Sequence, residues 1–319
     1  MKLLRIFLLA ALVFPCLANA AKIRQKVVNK KSYCHLGDLF SGNRFAIAPK
    51  GKNFLAVKRR QSCLFTVKQR RVSVNGVNLE LLNLPLYENG SWWLSVPDWY
   101  KGLRPLLYPA TVPRQRITSI FIDMGHGGND PGAIGKISKE KDITLHVGRE
   151  VAKMLKSYGF TVHLTRNSDI HVPLNQIGTK QQRSGSDLFV SIHVNAAKDR
   201  SISGIETFCL TPAGAASSNG GKASKTVFKG NKQDAGNILL AWNIQNSVLK
   251  RTGAVDRGIK RARFAVLKDI TVPGVLVEIG FISNNAEERR LNDPAYVKKT
   301  SAGIVDGIAA FCRSTKVRR

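Results

Sequence analysis

Four side chains able to bind metal or carry protons stand at the ends of apolar runs or at the mouth of a helix. His126 follows Ile122-Asp-Met-Gly125, His193 lies in Phe189-Val-Ser-Ile-His-Val-Asn195, and Glu278 lies in Val275-Leu-Val-Glu-Ile-Gly-Phe281. Glu140 opens a helical pattern between the two histidines. Short apolar runs of this kind read as buried strands, and in open α/β sheets chemistry gathers beyond the carboxyl ends of the strands. A single histidine in such a place is ordinarily structural. Two histidines with two carboxylates are the donor set of a hydrolytic zinc site, three groups holding the ion and the fourth moving a proton. Gly125, Gly127 and Gly128 let the chain turn sharply around His126. They lack the Gly-Lys-Ser/Thr ending or the Gly-x-Gly-x-x-Gly pattern of a phosphate-cradling loop. Ser138 is placed to N-cap the Glu140 helix.

The elements that must position these groups alternate. A strand is expected over 117–123. A helix follows over 140–158, with apolar residues at 143, 147, 151, 154, 155 and 158 and Gly159 as its C-cap. Further strands are expected at 161–164, 188–193, 204–210, 264–267 and 275–279, with helices at 237–250 and 295–312. Strands alternating with helices predict a three-layer α/β/α domain with a mostly parallel central sheet. Before it, two prolines and a basic run in Tyr108-Pro-Ala-Thr-Val-Pro-Arg-Gln-Arg116 mark a boundary. On the near side lie short strand-like pieces at 45–48, 54–57, 64–67 and 72–74. Asn75-Gly76 and Glu88-Asn-Gly90 supply turns. The expected organisation is a leader over 1–20, a smaller basic β-rich domain over 21–112 and a catalytic domain over 113–319.

The leader reading rests on Lys2 and Arg5, the apolar run Ile6 to Phe14 and the small-residue pattern Ala18-Asn-Ala20, which together predict export. Its loss takes the formal charge from +29 to +27. The segment from Lys22 to Arg116 alone carries 18 basic and 4 acidic residues, so the first domain holds about half of the excess. Such a balance speaks about partners. An exported protein meets little nucleic acid, and a nucleic-acid role would rest on charge alone, so none is expected. An anionic envelope polymer or lipid surface is the expected counterpart of the first domain. Of the cysteines left after cleavage, Cys34 and Cys63 are the candidate bridge, while Cys209 and Cys312 read equally well as buried thiols.

Six separated motifs carry a resemblance: Ile122-Asp-Met-Gly-His-Gly-Gly-Asn-Asp-Pro-Gly-Ala133, Glu140-Lys-Asp142, Leu164-Thr-Arg166, Asp187-Leu-Phe-Val-Ser-Ile-His-Val-Asn-Ala196, Asp256-Arg-Gly-Ile-Lys-Arg-Ala-Arg-Phe264 and Val277-Glu-Ile-Gly-Phe-Ile-Ser-Asn284. From about Ile120 to Phe311 the chain resembles the zinc-dependent N-acetylmuramoyl-L-alanine amidases that cut bacterial cell wall. The resemblance implies zinc held by His126, Glu140 and His193, with Glu278 as the catalytic proton carrier. The implied substrate is peptidoglycan, cut at the amide between N-acetylmuramic acid and the L-alanine of the stem peptide, in the periplasm or cell envelope. Asn195 and Arg261 are candidates for orienting substrate, Asp123 for orienting a ligand imidazole, and a protein activator is a candidate partner.

Met124 stands where the family usually has proline, and Gln181-Gln182 where an Ala-Asn pair is common; neither removes a ligand or the base. Some division-associated members block their zinc with a glutamate from an extra helix. Between Glu206 and Glu278 this chain has no glutamate. The stretch 211–234, rich in Ser, Gly, Lys and Ala, is expected to form a loop beside the site, with Asp234 as the available substitute. In the first domain, Val74-Asn-Gly-Val-Asn-Leu-Glu-Leu81 and Ser91-Trp-Trp-Leu-Ser-Val-Pro97 resemble the N-terminal module of copper amine oxidases. The competing reading is a catalytically silent wall-binding or scaffolding protein, whose mark would be a lost ligand or base.

Overall fold

The computed structural model describes residues 23–50 and 53–316; the leader expected over 1–20 lies outside them. The N-terminal part is built from strands β1 (Gln25–Val28), β2 (Lys31–His35), β3 (Ala46–Lys50), β4 (Asn53–Lys58), β5 (Gln61–Thr66), β6 (Arg71–Val74), β7 (Val77–Glu80), β8 (Leu86–Glu88) and β9 (Ser91–Ser95). Helix α1 (Leu36–Ser41) follows β2, and the short turns α2 (Val96–Asp98) and α3 (Arg104–Leu107) close the unit. Tight turns join most neighbours. Asn75 and Gly76, at φ 52° and 83°, make the β6–β7 turn, and Asn89 and Gly90, at 49° and 74°, the β8–β9 turn. Both are left-handed pairs whose twist matches that of the flanking strands.

The second part contains β10 (Ser119–Met124), α4 (Glu140–Ser157), β11 (Thr161–Leu164), α5 (Leu174–Ser184), β12 (Leu188–Asn195), β13 (Ile205–Leu210), α6 (Asp234–Thr252), β14 (Asp256–Ala262), α7 (Ala265–Lys268), β15 (Gly274–Phe281), α8 (Asn285–Leu291) and α9 (Pro294–Thr315). Strands β11, β10, β12 and β15 are parallel neighbours, β13 lies antiparallel to β15, and β14 is parallel to β13. Helices α4, α6 and α9 cover one face, and α5 and α7 the other. This is the expected three-layer α/β/α arrangement with a mostly parallel sheet.

Strand alternation decides what each face receives. Ile120, Ile122, Val190, Ile192, Val275, Val277 and Ile279 enter the large core under α4, α6 and α9. The intervening residues Phe121, Phe189, Phe208 and Leu276 form a smaller core under α5 and α7. His193 is four residues beyond Phe189 and Glu278 two beyond Leu276. Both therefore emerge on that second face, past the end of its apolar packing.

The two parts share one sheet. β7 adds to the β14 edge through the parallel bridge Ile259–Leu79, giving eleven strands in the order β11-β10-β12-β15-β13-β14-β7-β6-β5-β4-β3. The junction is polar at its rim, where Asn78 N donates to Asp256 Oδ2 at 2.7 Å and Trp242 Nε1 to Val74 O at 3.2 Å. Beneath it a single apolar cluster runs from Cys34 to Phe311. The proline-rich stretch at 108–116 therefore links two parts of one packed body.

Three local expectations differ from the structure. The run 264–267 forms helix α7 instead of a strand: its apolar side chains join the smaller core, and so short a run carries no period of its own. Cys34 and Cys63 are buried free thiols on strands of different sheets, so the candidate bridge is absent. Burial pushes the Cys63 thiol up to about 12. The segment 211–233 leaves β13 at the end opposite Glu278, because β13 runs against β15. It rests on β14, with Ser218 N donating to Arg261 O at 2.7 Å. Asp234 is held 2.9 Å from Lys101 Nζ.

Candidate metal centre

His126 sits two residues past β10 at φ 65°, the left-handed region that a side chain with a Cβ seldom adopts. This turn brings its ring back over the strand ends. Its Nδ1 lies 2.8 Å from Asp130 Oδ2, and its Nε2 3.3 Å from Glu140 Oε2. The crowding explains Gly132, at φ 65°, where a Cβ would come within 2.6 Å of both Glu140 Oε2 and the His126 ring.

Glu140 is the first residue of α4. Its Oε2 accepts from Ala133 N at 2.8 Å, and its Oε1 from Val194 N at 3.0 Å while facing His193 Nδ1 at 2.9 Å. A carboxylate at a helix start is favoured by the exposed amides of the first turn. The N-cap is Lys139, with no side-chain cap; Ser138 instead donates its hydroxyl to Glu288 Oε1 at 3.1 Å. Glu288 also accepts from the backbone of Lys136, Ile137 and Ser138, pinning the loop that leads into Glu140. His193 pairs in register with Glu278 on the neighbouring strand. One ligand atom each from His126, Glu140 and His193 lie within 4.8 Å of one another.

The charges are strongly coupled. Burial works to raise the Glu140 carboxyl, but hydrogen bonds from His126 and His193 overcome it and hold it well below the usual carboxylate range. The Glu140 hydrogen bond lifts His126 to about 9 against a smaller opposing effect of burial. Burial opposes protonation of His193, yet Glu140 and Glu278 together raise it. Glu278 is pushed up to about 8, by burial first and then by the nearby negative charges of Glu140 and Glu206, against the pull of His193. Its Oε2 is buried without a hydrogen-bond partner, an exception to the usual pairing of buried polar atoms.

The other expected residues have partners of their own. Asp123 accepts from Ser191 Oγ at 2.6 Å, and it is Asp130, four residues past His126, that meets the His126 ring. Asn195 Nδ2 donates to Glu206 Oε1 at 2.7 Å while its Oδ1 accepts from Ala196 N at 2.7 Å, which engages both ends of the carboxamide. Arg261 pairs with Cys209, one step beyond the Phe208–Leu276 pair and away from Glu278. It is 2% exposed, and its guanidinium donates to Lys101 O at the junction with the N-terminal part. Sequence reasoning missed Glu206, which lies opposite Glu278 in register and takes charge-assisted contacts from Lys260 and Arg257. Its position in a strand-like run next to the Glu278 strand was the available signal.

The family model described as N-acetylmuramoyl-L-alanine amidase matches residues 120–310. The amidase AmiC of Escherichia coli O6:H1 is 32% identical over 250 residues, covering 70% of this chain and 59% of its own length. AmiA of Escherichia coli K12 is 31% identical over 217 residues, covering 60% of this chain and 75% of its own. The solved structure of the CwlD amidase from Clostridioides difficile in complex with the GerS lipoprotein aligns with a TM-score of 0.53 at 28% identity, over 61% of this chain and 98% of that one. The chain thus spans under two thirds of the length of the AmiC relative. The matched segment is the α/β/α part, and His126, Glu140, His193 and Glu278 all lie inside it. By that match over more than half of its length, the chain belongs to the N-acetylmuramoyl-L-alanine amidase family.

Proposed function

We propose that this protein is a zinc-dependent peptidoglycan hydrolase that cleaves the amide between N-acetylmuramic acid and the L-alanine of the stem peptide. The observation that carries the reading is the convergence of two imidazoles and one carboxylate within 4.8 Å, beside a buried carboxyl with an unpartnered oxygen. That donor set fits a catalytic zinc, with three protein ligands and an open position. When bound, the ion supplies the Lewis acidity that polarises a carbonyl and acidifies water. His126, Glu140 and His193 would hold it, with Asp130 fixing the His126 tautomer from the opposite ring nitrogen. Glu278 accepts a proton from the attacking water and delivers one to the departing amine. A silent scaffolding role would tolerate loss of any of these groups, and the chain keeps all of them. Incubating the protein with purified sacculi and weighing the released fragments tests the reading. Lactyl-terminated glycan and free L-alanine amino termini are expected, whereas intact sacculi in the presence of zinc would leave the scaffolding role.

Zinc affinity should climb with pH. A metal needs neutral imidazole, and the metal-free protein holds His126 protonated up to about 9. Stability from the His126–Glu140 pair is complete below the ordinary value of 6.5 and lost as pH rises through about 9. Zinc binding must displace that proton, so affinity should gain roughly tenfold per pH unit across this window for each proton released. Chelator competition at several pH values checks the slope; a flat profile would contradict the pairing.

Export to the periplasm or cell envelope is the location that suits this substrate, and no described helix is long and apolar enough to cross a membrane. A protein activator is a further proposed partner, in keeping with the CwlD–GerS complex. The N-terminal part is proposed to hold the enzyme to an anionic envelope polymer or lipid surface. Lys30, Arg44, Arg59 and Lys68 are exposed at turn positions with φ between 54° and 61°, where asparagine or glycine is the easier residue. Left-handed backbone costs such side chains about 1 kcal/mol each. Replacing all four with asparagine should leave the melting temperature equal or higher. Co-sedimentation of the full chain with sacculi or anionic vesicles at low salt should fall sharply. Unchanged binding would rule out these tips as the anchor.

A further inference from the structure

Arg166 belongs to the Leu164-Thr-Arg166 motif just past β11, directs its hydrogen bonds at groups other than the proposed metal ligands' side chains, and is only 3% exposed. Its guanidinium is spent on backbone carbonyls and one hydroxyl. Nε donates to Met124 O at 3.0 Å, and Nη2 donates to Gly125 O at 3.2 Å, to Lys141 O at 2.7 Å and to Thr144 Oγ1 at 3.1 Å. Nη1 donates to Ser168 O at 3.1 Å. Met124 and Gly125 immediately precede His126, and Lys141 immediately follows Glu140. One planar group therefore ties the end of β10 to the first turn of α4, the two segments that carry those ligands. Thr144 closes the same knot by donating its hydroxyl to Gly125 O at 2.7 Å, and Thr165 adds to it by accepting from Met124 N at 3.0 Å.

The knot sits where it is needed. His126 is held at φ 65°, and a strained residue persists only when its surroundings over-determine it. Burying a guanidinium without a carboxylate in hydrogen-bonding contact is costly unless its donors are satisfied, and here every partner is a carbonyl or hydroxyl of the site's own scaffold. A fork of rigid donors can bridge two backbones at once, which a lysine ammonium cannot do with the same geometry.

We propose that Arg166 is a positioning residue that sets the separation of His126 and Glu140 for metal binding. This rests on the metal reading above. The test measures the zinc dissociation constant by chelator competition and, on the same preparations without metal, the melting temperature. Arg166→Gln and Arg166→Lys are compared with Gln245→Ala. Gln245 is a fully buried clamp of the same domain, which accepts from Thr207 and donates to Ile205 O and Asp256, away from the segments that carry His126 and Glu140. Arg166→Gln should weaken zinc binding by about ten- to a hundredfold. Arg166→Lys, the variant better able to stay folded, should show a smaller loss in the same direction. Gln245→Ala should lower the melting temperature and leave zinc affinity within about twofold of the parent. Parental zinc affinity in both Arg166 variants, or an equal loss in Gln245→Ala, overturns the proposal. A parent protein that retains no zinc overturns the metal reading itself.

Discussion

Exchanging Glu140 for glutamine is expected to empty the site of zinc and abolish hydrolysis of sacculi, the largest effect of any single substitution in this chain. Two independent losses coincide. The amide is a poor ligand for zinc, which leaves two imidazoles to hold the ion. The new amide nitrogen would place a donor opposite either Ala133 N or Val194 N, both of which now donate to the carboxylate. Metal content by elemental analysis and fragment release from sacculi measure the two outcomes. A Glu140→Gln protein that keeps about one zinc per chain and cuts at the parental rate would remove Glu140 from the ligand set.

The clustering of His126, Glu140 and His193 was legible because strand alternation and short motifs are local. Phe189, Ser191 and His193 must share a face once 188–195 is a strand, and Leu276 and Glu278 must do so once 274–281 is one. The partners of those side chains were not legible, since nothing in the local pattern ranks Asp130 above Asp123 as the carboxylate that meets His126. Only the tight turn returning from Gly127 to Asp130 does so. Arg261 shows a different failure. It belongs to a motif of the matched segment, but the reversal of β13 against β15 carries the end of β14 away from Glu278 and toward Lys101. Strand direction is a tertiary choice that no residue of β14 announces.

Charge concealed other elements. Strand β14 reads as a basic stretch with Ile259 as its main apolar residue. Its cations are settled by distant groups: Lys260 and Arg257 by Glu206, and the Arg257 guanidinium also by the Phe281 ring at 4.9 Å. Helix α5 buries only Ile177, Gly178 and Gln181, too few to set a helical period in sequence. The joining of β7 to β14 links Leu79 to Ile259 across most of the chain, and neither flank carries a signal of it. The β-rich character of the N-terminal part was readable from its turns, whereas its fusion into the larger sheet required the fold.

Replacing Glu278 with glutamine should separate chemistry from binding. Glu278 contributes none of the three clustered ligand atoms, so the variant is expected to keep zinc while turnover falls at least about a hundredfold, the usual worth of a positioned proton carrier. Stability should move the other way. The folded carboxyl is raised to about 8 from an ordinary 4.5, so in the metal-free parent the unfolded chain loses its proton first as pH rises. Between these values the unfolded state binds fewer protons, and the parent is destabilised with increasing pH until the folded carboxyl has also ionised. Glutamine cannot ionise, and that slope should vanish from its melting curve. A buried carboxylate with one oxygen unpartnered costs stability once ionised, so the variant should melt at an equal or higher temperature at pH 8. Zinc content, single-turnover rate on muropeptides and the pH dependence of metal-free melting give three separate readings. If the variant loses zinc but regains the parental rate when metal is supplied, Glu278 is a ligand and the proton must be carried by another group. If it keeps both zinc and rate, the buried carboxyl has no part in the reaction.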